Sequence, residues 1–237
     1  MTLPTERYRP RSQGEPNEGL RRRRARAHPR FAPGYRRDLF ARYGLDKTTI
    51  ADLTDPADIA NGTFYRFYDS KEELYVEILR EESERLAADI LAESFERVGA
   101  GDGEGEDGSE NDGALSPEEG IVAFLTLLCD EIETNLLVRR LVVDDDLSRL
   151  MAQFSDEELR EEQAQSLSYV VPYVERWQSE GLLREGDPEV LAAAMGVVKF
   201  VAYHSDDFHD ETFYRAVRDA LIEVVAAGLT TPISSKE

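Results

Sequence analysis

The stretch Asp58–Tyr75, DIANGTFYRFYDSKEELY, decides how the rest of the chain is read. Phe64, Tyr65, Phe67, Tyr68 and Tyr75 follow closely on a small, polar opening of Ala60, Asn61, Gly62 and Thr63. IANGTFYRF reads as a short helix. Ser70 with Glu73 three residues on is a capping-box pattern, in which cap and third residue satisfy each other's backbone N–H. Leu74, Ile78, Leu86, Ile90 and Leu91 continue an apolar stripe of helical period, so a long helix is expected over 71–98.

Upstream, TTIADLT reads as another short helix, with Thr48 as candidate N-cap and Ile50 and Leu53 turned inward. DPAD after it is turn chemistry. YRRDLFARYG places Tyr35, Leu39, Phe40 and Tyr43 on one face, with Gly44 able to end the helix. Three short helices, a turn at the second junction and then one long helix is a helix-turn-helix arrangement.

With those elements placed, TTIADLTDPADIANGTFYRFYDSKEELY resembles the DNA-binding signature of the TetR/AcrR transcriptional regulators. Thr49 and Gly62 stand thirteen positions apart as in that family, and GTFY, the aromatic pair Phe67-Tyr68 and SKEEL keep its order and distance. The match covers about Leu39–Tyr75. The resemblance implies that Ala60, Asn61 and Thr63 face the major groove, with Asn61 able to meet a base edge. Tyr65 would send its hydroxyl to a phosphate, Phe64 and Phe67 would be core, and Thr48, Thr49 and Lys71 would contact phosphate beside helix N-termini. Arg42 and Lys47 are nearby electrostatic candidates. The chain departs from the family in carrying Ala57-Asp58 where Ala-Gly is usual. It also carries RFAPGYRRDLF, with Pro33 and Gly34 expected to truncate the first helix, and RRRRARAHPR before it. Two readings of that arginine-rich stretch stand side by side: a basic arm that tracks the DNA, or out-of-frame translation of a GC-rich gene.

Downstream, Gly99–Gly113 alternates glycine with acids and reads as a flexible, self-repelling linker over 99–115. Ser116-Pro117-Glu118-Glu119 restarts helix. Ser155 and Glu158 start a further helix that Pro172 should break, Asp187-Pro188 starts the next, and the last spans about 212–229 with Phe213, Val217, Leu221, Val224 and Val225 inward. No strand pattern competes. The expected fold is all-α with about nine helices: a basic arm over 1–33, a helix-turn-helix domain over 34–78, and a helical regulatory and dimerisation domain over 116–230.

VVPYVERWQSEGLLREGDPEVLAAAMGVV looks like the same family's regulatory domain. That resemblance implies a cavity for a small-molecule effector and a homodimer formed by the last two helices. Candidate lining residues are Phe124, Met151, Phe154, Tyr169, Tyr173, Trp177 and Phe200, with Tyr173 and Trp177 beside Pro172 the leading pair.

Composition adds a second signal. The 237 residues carry a formal charge of −21, and only Lys47, Lys71, Lys199 and Lys236 are lysine. Residues 1–47 hold 13 Lys and Arg against 5 Asp and Glu, whereas the remainder holds 15 against 44. A basic start on an acidic body points to a polyanionic partner. An acid-rich, lysine-poor surface suits a salt-rich, halophilic cytoplasm of haloarchaeal type, where charge is screened over a few ångströms. Cys129, the lone cysteine, excludes an internal disulfide. No signal peptide and no uninterrupted apolar run of membrane-spanning length is visible, so a cytoplasmic protein is expected. His204 and His209 with Asp206, Asp207 and Asp210 lack metal-ligand spacing, and there is no catalytic constellation, phosphate loop or cofactor motif. The sequence thus predicts a ligand-released, homodimeric repressor of a palindromic DNA operator rather than an enzyme. The alternative is a helical ligand- or protein-binding dimer with an impaired DNA-binding domain.

Overall fold

The computed structural model describes residues 33–58, 60–99, 114–143, 150 and 154–230. The basic arm and the core of the acidic linker lie outside the described residues, as does Met151. Among the described residues the fold is all-α: α1 Pro33–Lys47, α2 Ile50–Thr54, α3 Asn61–Phe64, α4 Lys71–Glu93, α5 Pro117–Thr134, α6 Leu136–Val143, α7 Asp156–Ser168, α8 Val171–Ser179, α9 Pro188–Val197, α10 Lys199–Tyr203 and α11 Glu211–Thr230. Eleven helices stand among the described residues, where about nine were expected of the whole chain. The segment around Pro172 divides, as its proline demands, and the 187–204 segment also breaks at Val198. The only non-helical pairing among the described residues is an isolated bridge, Val98 to Leu115, which holds the two ends of the linker side by side. Gly120 lies so close to this bridge that a Cβ there would run into Val98 Cγ2.

The helix starts follow local chemistry. Pro33 occupies the first turn of α1, where its missing N–H has no partner to lose. Pro33 and Gly34 therefore open the helix, and Leu39, Phe40 and Leu45 still reach the core. Gly44 adopts φ 74° and ends the regular part of α1, as expected of a glycine there. Thr49, not Thr48, caps α2: its hydroxyl accepts from Asp52 N while Asp52 accepts from Thr49 N. Ser70 caps α4, but Glu73 reaches back to the N–H of Asp69 rather than to that of Ser70. Ser116 and Glu119 close a full capping box on α5.

Two hydrophobic cores result. The head core gathers Leu39, Phe40, Leu45, Leu53, Phe64, Tyr68, Leu74, Tyr75 and Ile78, and it also includes Leu137 of α6 and Leu150. The body core gathers Phe95, just past the end of α4, with Ile121, Leu125, Cys129, Val174, Trp177, Met195, Ala202 and Ile222 from α5 and α8–α11. Two expectations of facing are corrected. Tyr35 and Tyr43 are exposed, and Arg36 takes the inward position instead. On α11 the core face is Tyr214, Ile222, Ala226 and Leu229, whereas Phe213, Leu221 and Val224 point to solvent. Arg218 locks the core side of α11 to α5 through Asp130 and Glu133, each at 2.9 Å.

Candidate DNA-binding site

The turn before α3 is made by Asp58, the one non-glycine with a left-handed backbone among the described residues (φ 53°). Aspartate tolerates that conformation better than most residues, and it lets the chain reverse between α2 and α3 without the usual glycine. Across the turn, Thr54 Oγ1 lies 2.6 Å from Asn61 Oδ1, which pins the first residue of α3 to the end of α2. Behind α3, Phe64 and Tyr68 are buried with ring centroids 5.5 Å apart, and Phe67 is half-buried against the same core. These aromatics fix which side of α3 faces inward.

The outward side carries Ala60, Asn61 and Gly62, all exposed, with Thr63 half-buried at its edge. Tyr65 is 56% exposed and edge-on to Phe64 at 5.6 Å, so its hydroxyl projects from the rim. Asn61 accepts from Thr54 through its amide oxygen and is otherwise exposed. Gly62 has no packing reason for its size. A Cβ there would meet nothing within 4 Å, and its backbone is not left-handed. Glycine in a helix is less favourable than alanine by about 1 kcal/mol, so the folded chain by itself gains nothing from it.

Of the three candidates at helix starts, Thr48 and Lys71 turn inward and Thr49 stays outside. Thr48 is buried and donates its hydroxyl to Gly44 O at 2.7 Å. Thr49 is exposed at the start of α2, with its hydroxyl bound to Asp52; that bond holds the Asp52 carboxyl below the usual carboxylate range. Lys71 stands in the first turn of α4 as expected, but its ammonium donates to the carbonyls of Leu45, Asp46 and Thr48. Those carbonyls form the frayed end of α1, so Lys71 acts as an internal tie instead of a free phosphate-facing charge. Arg42 stays exposed, its guanidinium 5.5 Å over the Tyr43 ring.

Three of the candidate effector residues, Phe124, Tyr173 and Trp177, gather around Phe95, and Phe154 and Phe200 do not join them. Trp177 and Phe124 are buried around Phe95, which stacks on Phe124 at 4.5 Å and meets Trp177 edge-on at 4.8 Å. Tyr173 closes this cluster from outside, 3.4 Å from Glu96 Oε1 through its hydroxyl. Tyr169 is half-buried and bound to Gln165, Phe154 belongs with the head core, and Phe200 is 51% exposed. Pro172 instead borders an open cleft of about 480 Å³, lined also by Arg160, Ala164, Leu167, Ser168, Val171 and Glu189 and not by Trp177. His204 and His209 pair only with neighbouring Asp207 and Asp210, and no metal-binding cluster exists among the described residues. No described helix is long and apolar enough to cross a membrane.

A three-helix head whose small polar helix is presented outward from an aromatic base is a helix-turn-helix DNA-binding domain. Residues 37–78 match the model of the bacterial regulatory proteins of the tetR family. The HTH-type transcriptional repressor KstR2 of Rhodococcus jostii is 50% identical over 42 residues, 18% of this chain and 21% of that protein. The chain thus matches about a fifth of the length of that curated relative. Likeness of fold extends much further. A tetR-family transcriptional regulator from Pectobacterium atrosepticum aligns over 92% of this chain and 98% of its own, at a TM-score of 0.62 and 16% identity. The transcriptional regulator FadR from Bacillus subtilis, solved in complex with stearoyl-CoA, aligns over 83% and 97% at a TM-score of 0.55 and 13% identity.

Proposed function

We propose that the chain is a homodimeric transcriptional repressor that binds a palindromic DNA operator in the cytoplasm and is released by a small apolar or amphipathic effector. Gly62 carries the reading: a glycine with open space around it, central on an exposed helix, is useful only to something that approaches from outside. DNA recognition makes that demand, because base edges and phosphates must come close to the helix backbone. Ala60, Asn61, Thr63 and Tyr65 flank it as contacts, with Asn61 offering its NH2 to a base. Val190 and Val197 of α9, Phe200 of α10 and Phe213, Leu221 and Val224 of α11 are exposed apolar residues that a second copy would cover. A two-fold dimer would place the recognition helices roughly 34–36 Å apart, one turn of DNA. The effector would enter the cleft between α7, α8 and α9, and a long-chain acyl thioester is the first ligand to try.

Selection from random duplexes at high salt tests the reading. The wild-type protein should enrich a palindrome. Gly62→Ala should weaken binding about tenfold or more, equivalent to about 1.4 kcal/mol, while its melting temperature stays the same or rises. Tyr65→Ala should weaken binding with no loss of fold. A folded dimer that enriches no sequence overturns the proposal.

The acid surplus gives a second expectation. Net repulsion on the body should make the fold salt-dependent, with a higher melting temperature in molar potassium chloride than at about 0.1 M, where the screening length is about 10 Å. A melting temperature indifferent to salt would remove the halophilic reading and leave the DNA-binding one untouched.

A further inference from the structure

One buried carboxylate lies where head and body join. Glu82 lies on α4 with its side chain 5% exposed. Arg37 of α1 grips it with two bonds, Nη2 to Oε1 at 2.6 Å and Nε to Oε2 at 2.9 Å. Arg85, one turn along α4, adds Nη2 to Oε1 at 3.0 Å and Nε to Oε2 at 3.3 Å. Asn135 completes the set with Nδ2 to Oε1 at 2.6 Å. Burial raises the Glu82 carboxyl, but the bonds from Arg37, Arg85 and Asn135 outweigh it and hold the group down to about 2. The clasp is therefore charged at any working pH.

Asn135 occupies the single position between α5 and α6. Its backbone N–H closes α5 on Glu131 O at 2.8 Å, and its side-chain oxygen accepts from Leu137 N at 3.1 Å to start α6. The helices on either side of it are placed differently. Ile121, Leu125, Cys129 and Ile132 of α5 are in the body core, whereas α6 spans both, with Leu137 in the head core and Val138 against the body core. Arg140 reinforces the second attachment by donating to Ala41 O and, at 2.9 Å, to Arg42 O at the end of α1. Beside this joint lies an open cleft of about 640 Å³, lined by Arg37, Arg42, Arg85, Glu131, Asn135 and Leu136. Side chains do not fill this cleft, so on this side of α4 the joint is held by directional bonds.

We propose that Glu82 is the positioning residue that sets the orientation of the DNA-binding head on the body, and that Asn135 is the contact through which α5 passes movement to it. The orientation itself does not depend on DNA; its consequence for operator choice rests on the function proposed above. A shift of α5 in the body moves Asn135, and Asn135 holds both the first turn of α6 and the carboxylate that anchors α1. Rotation of the head would change the separation of two recognition helices in a dimer and leave each helix's own base contacts intact.

The test is a spin-label distance between head and body in the full chain, using Arg66→Cys and Glu185→Cys, both exposed positions. Cys129 needs no replacement: it is buried, and burial pushes its thiol up to about 11. Labelled chains are diluted into unlabelled protein so that only distances within one chain are read. Glu82→Gln removes the charge at constant shape. Asn135→Ser keeps a capping side chain for α6 but is too short for Glu82. With helical content retained, the distance distribution is expected to broaden or shift in both variants, by about a factor of two in width. An unchanged distribution in both variants, even with a lowered melting temperature, would make the clasp merely structural and overturn the proposal. A change with Glu82→Gln alone would keep Glu82 and overturn the role of Asn135. Where the wild type selects an operator, the variants should lose preference for half-site spacing and retain base preference within each half-site. A wild type that selects none defeats the repressor reading, and the distance measurement still decides this one.

Discussion

Alanine at position 36 is expected to cost about 3–5 kcal/mol, the range for breaking a buried ion pair from one side. Arg36 is 1% exposed inside the head. Its Nη1 donates to the Tyr68 hydroxyl at 3.0 Å and lies 3.8 Å from Glu77 Oε1, and the Tyr68 hydroxyl donates to the same carboxylate oxygen at 3.0 Å. Burial and the facing Glu77 charge push the Tyr68 phenol well up, so it remains a donor. Without Arg36 the Glu77 carboxylate stays buried with one neutral partner. Its negative charge then goes unbalanced, which is the expensive state. The pair is not an efficient source of stability, because Arg36 Nε and Nη2 are buried with no partner among the described residues. Replacing both charges by apolar residues of similar volume, Arg36→Met with Glu77→Leu, should therefore recover most of the loss. Urea unfolding followed by far-ultraviolet circular dichroism reads both. A double variant as unstable as the sum of the two single ones would show that the charges themselves hold the head together.

In the body the corresponding change is Trp177→Ala, expected to cost about 3–5 kcal/mol as a fully buried aromatic ring is removed. Trp177 is 0% exposed and packs edge-on against Phe95, with Tyr173 6.3 Å away on the outer side. The ring, rather than its N–H, supplies the stability: Nε1 is buried with no acceptor among the described residues. Trp177→Phe keeps much of the apolar contact and removes the unsatisfied donor, so it should cost far less than alanine, about 1 kcal/mol or a little more once the smaller volume is counted. Trp177 is the only tryptophan in the chain, so unfolding must be followed by dichroism in these variants. Equal losses for alanine and phenylalanine would mean that the indole N–H has a partner that matters.

The head was legible because its signals are local. Ser70 with Glu73, the turn at Pro56 to Asp58, and the spacing from Thr49 through GTFY to SKEEL each depend on neighbours within a few residues. The buried charges were not read, although the pattern held a trace of them. Arg36 stands four residues before Phe40, and Glu82 stands midway between Ile78 and Leu86, both on apolar stripes. A charge at the centre of such a stripe must find partners across the fold, but the sequence does not say which. Lys71 and Thr48 look like DNA contacts because they flank helix starts. Whether a side chain reaches outward or back to Gly44 or Leu45 depends on how α1 ends against α4. The effector residues were hardest to place. Phe154 and Phe200 share the apolar character of Trp177, but α6 draws one towards the head and the surface of α10 leaves the other in solvent. On α11 two apolar faces run side by side, and periodicity alone gave no way to choose which one meets the monomer's own core.

The placement of Leu137 among head residues has a practical corollary for exchanging parts between such regulators. By sequence, the acidic linker looks like the seam at which a new DNA-reading unit could be grafted. Physically, the unit that keeps its shape includes α6, from beyond the linker, with Leu137 as a buried plug under α1 and Arg140 clamped to the carbonyls at its end. A graft cut at the linker would leave a foreign α6 beneath the new head. One that carries α6 along, with its joint at Asn135, would transplant the reader together with its own base.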